Sequence, residues 1–181
     1  MNYTRTLEWL YSQLPMYQRQ GKSAYKKDLS NIINLCKKND DVHTQFKSIH
    51  IGGTNGKGSV SHMLASVLQA SGYKTGLYTS PHLKDFRERI RINGKKISET
   101  EVTDFVQKFM KEFERIHPSF FEMTVAMAFD HFAKHEVDIA VIEVGLGGRL
   151  DSTNIINPLL SVITNISKDH MQMLGDTVEQ I

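Results

Sequence analysis

The residues with the most to offer chemically stand close together in Ile49-His50-Ile51-Gly52-Gly53-Thr54-Asn55-Gly56-Lys57-Gly58-Ser59-Val60. A short apolar segment runs into a glycine-rich turn with one lysine, and a pattern with helical spacing follows. Strand, glycine loop and helix in that order hold nucleotide phosphates. Glycines let the backbone wrap closely, so that successive N–H groups and the helix N-terminus point at the anion. Lys57 would lie along the outer phosphates, and a neighbouring hydroxyl could hold Mg²⁺. The commoner pattern G-x-x-x-x-G-K-[ST] is met only in part. Ile51 stands where its first glycine belongs, and Gly58 displaces the hydroxyl residue to Ser59. A glycine turn before a helix can also serve capping alone; here a strand pattern before it and a helix pattern after it favour phosphate binding.

Three further groups are candidates by position. Glu143 closes the apolar run Val137-Asp138-Ile139-Ala140-Val141-Ile142 and precedes a glycine-rich turn. A carboxylate at such a strand end is how many phosphate-loop proteins bring Mg²⁺, or its shell water, to the nucleotide. Ser80-Pro81-His82 ends another strand and, taken alone, reads as a Ser-Pro turn. His170 needs special justification as a ligand, since Mg²⁺ prefers hard oxygens. Other patterns fail. Gly145-Leu146-Gly147-Gly148 is no dinucleotide fingerprint, because Leu150 stands where the last glycine should be. His131 and His135 lie four apart on a helical pattern without the glutamate of a zinc protease, and read as a solvated helix face. Asp169-His170 with Ser80 lacks the nucleophile elbow of a hydrolase.

Bringing these groups together requires a sheet. Helical patterns cover residues 3–14, with Leu7, Leu10 and Leu14 on one side and Pro15 ending it, and 26–38, with Leu29, Ile32, Ile33 and Cys36 inward. Residues 16–22 read as a polar loop. After the glycine loop, Val60, Met63, Leu64, Val67 and Leu68 recur at helical spacing, and Gly72 suits a C-cap. Residues 74–79 read as a second strand, expected parallel to the first in a βαβ unit. Asn93-Gly94 predicts a tight type I′ hairpin. Two helices over 99–117 and 121–135 are separated by Pro118. Apolar runs at 137–143 and 159–164 suit strands buried on both faces of a parallel sheet. Residues 177–181 read as the first turns of a helix. The alternation predicts an α/β fold, a mostly parallel open sheet with helices on both faces. Ligands bind at the carboxyl ends of such strands, where the glycine loop, Ser80, Glu143 and the 165–170 stretch all fall.

The 181 residues suffice for one sizeable domain, and 40% hydrophobic with 23% charged residues is ordinary for a globular protein. A net charge of +2 argues against an extended nucleic-acid surface. The single Cys36 cannot form an internal disulfide, which fits a reducing cytoplasm, and reads as a small buried helix residue. No secretory signal pattern opens the chain, and no apolar run approaches the ~20 residues of a membrane span.

Together these pieces resemble one family. Gly53-Thr54-Asn55-Gly56-Lys57-Gly58-Ser59 is similar to the phosphate loop of the Mur-type ATP-dependent amide ligases, in the form used by folylpolyglutamate synthase and dihydrofolate synthase. That form accounts for both departures from the commoner loop. Further signatures follow in the same order. They are Ser80-Pro81-His82-Leu83, Glu88-Arg89-Ile90, Phe121-Glu122, the block from Glu143-Val144-Gly145 through Arg149-Leu150-Asp151-Ser152-Thr153-Asn154, Asp169-His170, and Leu174-Gly175. The block over 143–154 is the most specific of them.

The resemblance implies a P-loop NTPase-like fold and an enzyme that joins L-glutamate to a folate-type carboxylate, dihydropteroate or tetrahydrofolate, through an acyl phosphate made from ATP. By position it implies that Asn55, Gly56, Lys57, Gly58 and Ser59 bind ATP. Ser80, Glu143 and His170 are expected as Mg²⁺ ligands, and Lys57, Glu143 and His170 as the catalytic set. The pterin side falls to Ser119, Phe120, Phe121 and Glu122 with Leu150, Asp151 and Ser152, and more weakly to residues 19–22. The expected partners are small molecules, with no nucleic acid, no membrane and a monomeric state. The family's carbamylated lysine and its C-terminal glutamate-ligase domain would follow Ile181, so residues 1–181 are expected to form the ATP-binding domain and, alone, to bind nucleotide at most. The rival readings are a cell-wall amino-acid ligase of the same class, and a P-loop ATPase or switch domain without an acyl substrate. The chain has no N-K-x-D guanine-reading motif to support the latter.

Overall fold

A computed structural model of the chain describes residues 1–13 and 28–181. Six strands form one sheet: β1 (Lys47–Gly52), β2 (Thr75–Tyr78), β3 (Ile90–Ile92), β4 (Lys95–Lys96), β5 (Ile139–Glu143) and β6 (Leu160–Ile163). Their spatial order is β4-β3-β2-β5-β1-β6, with β2, β5, β1 and β6 parallel and the β3–β4 hairpin antiparallel at one edge. The expected parallel relation of β1 and β2 holds, although β5 lies between them. All five residues of β5 are buried, as the apolar run predicts for a central parallel strand. In register, Ile51 lies opposite Glu143, Gly52 opposite Ile163, and Tyr78 opposite Ile142. Four carboxyl ends therefore finish level with one another.

The helices are α1 (Tyr3–Gln13), α2 (Ser30–Lys37), α3 (Lys57–Ala70), α4 (Glu99–Ile116), α5 (Phe120–Lys134) and the single turn α6 (Met171–Leu174). On one face α3 packs Val60, Leu64, Ala65 and Leu68 against Ile49, Ile51, Leu77, Ile139 and Val141. On the other, α1, α2, α4 and α5 bury a larger core that includes Leu10, Ile32, Phe105, Phe109, Phe129 and Phe132. Helices thus cover both faces. Ser98 with Glu101, and Ser119 with Glu122, form capping boxes that start α4 and α5 on either side of Pro118. Asn93 and Gly94, at φ 48° and 73°, supply the two positive φ values a type I′ turn needs.

Several expectations are corrected. Met63 and Val67 lie on the outer face of α3, whereas Ser61 and Ala65 are buried, because small residues let the helix approach the sheet closely. In α2, Ile33 is exposed and Leu35 takes the inward place; residues 14–27, including the predicted helix start at 26 and the 19–22 loop, lie outside the described residues. β6 is not buried on both faces. It is an edge strand among the described residues, with Leu160 and Ile163 exposed. Residues 178–180 form a single turn, with Gln180 and Ile181 N–H both donating to Thr177 O. Cys36 is fully buried, and burial pushes its thiol up to about 12, as expected of a packing residue.

Candidate functional site

The glycine loop joins β1 to α3 at the level carboxyl edge. Gly53 adopts φ 126° and Gly56, the N-cap of α3, φ 86°. A side chain at Gly53 would place Cβ 2.2 Å from Thr164 Oγ1, so the position also excludes one sterically. The loop is held from β6 and the segment after it. Thr54 N–H donates to Asn165 O, and Asn55 N–H to Asn165 Oδ1. Thr54 and Ser167 exchange hydroxyl and backbone bonds, while Thr164 Oγ1 lies 2.7 Å from Asn55 O. No side chain caps α3. The leading N–H groups of a helix have no intrahelical partner, so the 14-residue α3 presents them, with the positive end of its dipole, to an anion. Lys57 Nζ folds over the loop and donates to Gly53 O at 2.7 Å and Thr54 O at 3.1 Å. Ser59 is exposed on the first turn.

Glu143, at the end of β5, is buried beside this helix start. Its Oε2 accepts the Ser80 N–H at 3.0 Å, and a Cβ on Gly58 would stand 3.5 Å from its Oε1. Residue 58 therefore stands against the carboxylate at ordinary van der Waals distance. Burial raises the Glu143 pKa, against the opposing effects of the Ser80 N–H, Lys57 and His62.

The turn after Glu143 is built from its own sequence. Asp151, fully buried, accepts N–H bonds from Gly145 and Leu146 through Oδ2 and from Thr153 through Oδ1. The Thr153 hydroxyl also donates to Asp151 and pairs with His50 Nε2 at 2.8 Å. Burial lowers the His50 pKa, which favours the neutral ring. Phe121 leans on the turn, since a Cβ at Gly145 would lie 2.4 Å from its Cζ. Gly53, Thr54, Lys57, Gly145–Gly147, Ile166, Asp169 and His170 line a cleft of about 50 Å³. His170 caps α6, and its ring sits 3.8 Å from Asp169.

The structure thus joins Ser80 to Glu143 and sets Lys57 and His170 on one cleft. The residues expected on the substrate side divide. Phe120 belongs to the core, Ser119 and Glu122 are spent on each other's backbone, with Asn31 also donating to Glu122, and Asp151 and Ser152 are buried in the turn. Phe121 and Leu150 keep exposed surface. Sequence reasoning missed the loop-bracing role of Thr164 and the His50–Thr153–Asp151 chain. The polar cluster after the β6 run was the available signal for Thr164; nothing local pointed to His50.

The donor set suits a nucleotide phosphate with Mg²⁺. Glu143 offers hard carboxylate oxygens beside the helix start, and a cation there would relieve the cost of burying its charge. His170 is a softer donor and suits that ion less well.

Similarity to known proteins is extensive. The family model described as Mur ligase middle domain matches residues 51–181. The dihydrofolate synthase/folylpolyglutamate synthase of Bacillus subtilis is 39% identical, with 99% of this chain and 42% of that protein covered. An FPGS–AMPPCP–folate complex superposes with a TM-score of 0.91 at 37% identity, covering 99% of this chain and 44% of that one. E. coli FolC in complex with DHPP and ADP superposes with a TM-score of 0.89 at 30% identity, covering 99% and 42%. This chain therefore spans well under half the length of the proteins it matches.

Proposed function

The chain belongs to the Mur ligase family, and from that premise we propose that it is the ATP-binding part of a ligase that joins L-glutamate to a folate-type carboxylate, dihydropteroate, tetrahydrofolate or both. The observation that carries the reading is the uncapped start of α3, with Lys57 on the loop and buried Glu143 alongside. The relatives supply the substrate class: one binds AMPPCP and folate, another DHPP and ADP.

A carboxylate is a poor acyl donor, and phosphorylation gives it a leaving group. Its oxygen attacks the γ-phosphorus of ATP, the bond to the β-phosphate breaks, and ADP leaves an acyl phosphate. The glutamate amine then attacks the carbonyl carbon, expels phosphate and loses a proton. Lys57 would exchange its loop carbonyls for phosphate oxygens, and α3 N–H groups would bind the same charge, which spreads as the phosphoryl group moves. Asn55, Gly56, Gly58 and Ser59 belong to the same cradle. Mg²⁺ would be held by Ser80 and Glu143, with His170 at a second position, and supplies charge neutralisation when bound. Phe121 and Leu150 are the pterin-side contacts whose surface remains available; Ser119, Phe120, Glu122, Asp151 and Ser152 support them from behind. No helix among the described residues is long and apolar enough to cross a membrane.

The test is phosphate release by the complete protein with ATP, L-glutamate and either dihydropteroate, tetrahydrofolate or a muramyl substrate. Release with a folate-type acid and glutamate together is expected. Release only with the muramyl compound, or without any carboxylate, overturns the proposal.

A further inference from the structure

Away from the glycine loop, the last turn of α5 faces the first turn of α4. His131 Nδ1 lies 3.3 Å from Glu101 Oε1, and His135 Nε2 hydrogen-bonds the same oxygen. The two rings meet edge to face with centroids 4.5 Å apart. Among the described residues, this is the group of three His, Cys, Asp or Glu side chains whose ligand atoms all lie within 4.8 Å of one another. We propose that Glu101, His131 and His135 form a binding site for a divalent transition ion of the Zn²⁺ class, clamping α4 to α5.

The chemistry of the three groups matches that ion. Two imidazole nitrogens and one carboxylate oxygen are a three-protein-ligand set of the kind Zn²⁺ accepts, whereas Mg²⁺ wants oxygens throughout. In a tetrahedral site with ligand bonds near 2.0–2.1 Å, neighbouring ligand atoms stand about 3.3 Å apart, which is the His131–Glu101 separation. His135 would withdraw slightly to admit the ion, and its half-exposed side chain leaves that flank open for a water ligand. The other carboxylate oxygen is anchored, since Glu101 Oε2 accepts the Ser98 hydroxyl and backbone N–H. Such a bond fixes a ligand's orientation before the metal arrives.

Protonation does not stand in the way. Burial lowers the His131 pKa to about 4, against the attraction of Glu101, so the ring is neutral near pH 7. Burial opposes ionisation of Glu101, but the bonds from Ser98 and His135 outweigh it and hold the carboxyl at about 2. The ion would take the lone pairs of His131 Nδ1 and His135 Nε2, each ring keeping its single proton on its other nitrogen. It would tie the exit of the β3–β4 hairpin to the turn that feeds β5.

The experiment uses Zn²⁺ itself, by calorimetric titration and thermal melting of the protein, with Co²⁺ absorption as a reporter of tetrahedral N/O ligation. One equivalent is expected to bind, with Tm rising by roughly 5–10 °C at a hundredfold excess over Kd. His135→Ala, at a half-exposed position, and Glu101→Gln, which keeps a hydrogen-bond acceptor toward Ser98, should each remove that equivalent and the Tm rise while circular dichroism stays unchanged. Absence of binding, or binding and Tm gain that persist in both variants, overturns the proposal.

Discussion

Glu143 shows how a functional side chain can work against the fold that carries it. Its burial raises its pKa, so the native state binds a proton more tightly than the unfolded chain. Stability from this group is therefore greatest at low pH and declines as pH rises from the ordinary carboxylate range through the raised native value. Replacing it with glutamine keeps an acceptor for Ser80 N–H and removes the charge. Glu143→Gln should melt a few degrees above the parent at pH 7, with the gap narrowing as pH falls through the raised native value and closed by about pH 4, and should lose the Mg²⁺ dependence of nucleotide binding. Melting curves over that pH range, paired with nucleotide titrations with and without Mg²⁺, check both halves. Much at this scale was legible. Lys57, Ser80 and Glu143 declare themselves by type and strand-end position, whereas Glu101 stands in sequence far from the two histidines it meets, and only the packing of α4 on α5 brings them together.

At the scale of elements, the glycine loop depends on β6 and the segment after it as much as on its own residues. Gly53 lies at φ 126° with Thr164 Oγ1 only 2.2 Å from where a Cβ would be. Gly53→Ala should therefore cost about 1–3 kcal/mol in backbone strain alone, and more once Thr164 is pushed away. Thr164→Val removes the hydroxyl that braces Asn55 O and should cost about 1 kcal/mol, with Thr164→Ser close to the parent. Denaturant melts rank the three variants, and nucleotide affinity should fall in the same order. Binary pattern located β1, α3 and β6 but not their faces. The apolar stripe of α3 suggests Met63 and Val67 as core, yet the helix sits on Ser61 and Ala65, because closeness to the sheet favours small side chains over large ones. β6 reads as buried for a related reason: an apolar run reports strand propensity and says nothing about which neighbour lies beside it.

For the whole molecule, the order β4-β3-β2-β5-β1-β6 converts four separate sequence segments into one edge. The sequence could show that each strand ends in polar residues. It could not show that β5 inserts between β1 and β2 and so sets Glu143 beside Gly58, since that contact belongs to the crossover. Nor could it show that the block after Glu143 is largely self-supporting, with Asp151 holding Gly145 and Leu146 from within. Whether this edge cradles a nucleotide is tested most directly by a calorimetric titration of AMPPCP with Mg²⁺. The protein should bind one equivalent, and Lys57→Ala, which leaves the buried core untouched, should weaken binding by about 10–100-fold. No binding by the parent protein, or equal affinity in Lys57→Ala, would contradict it.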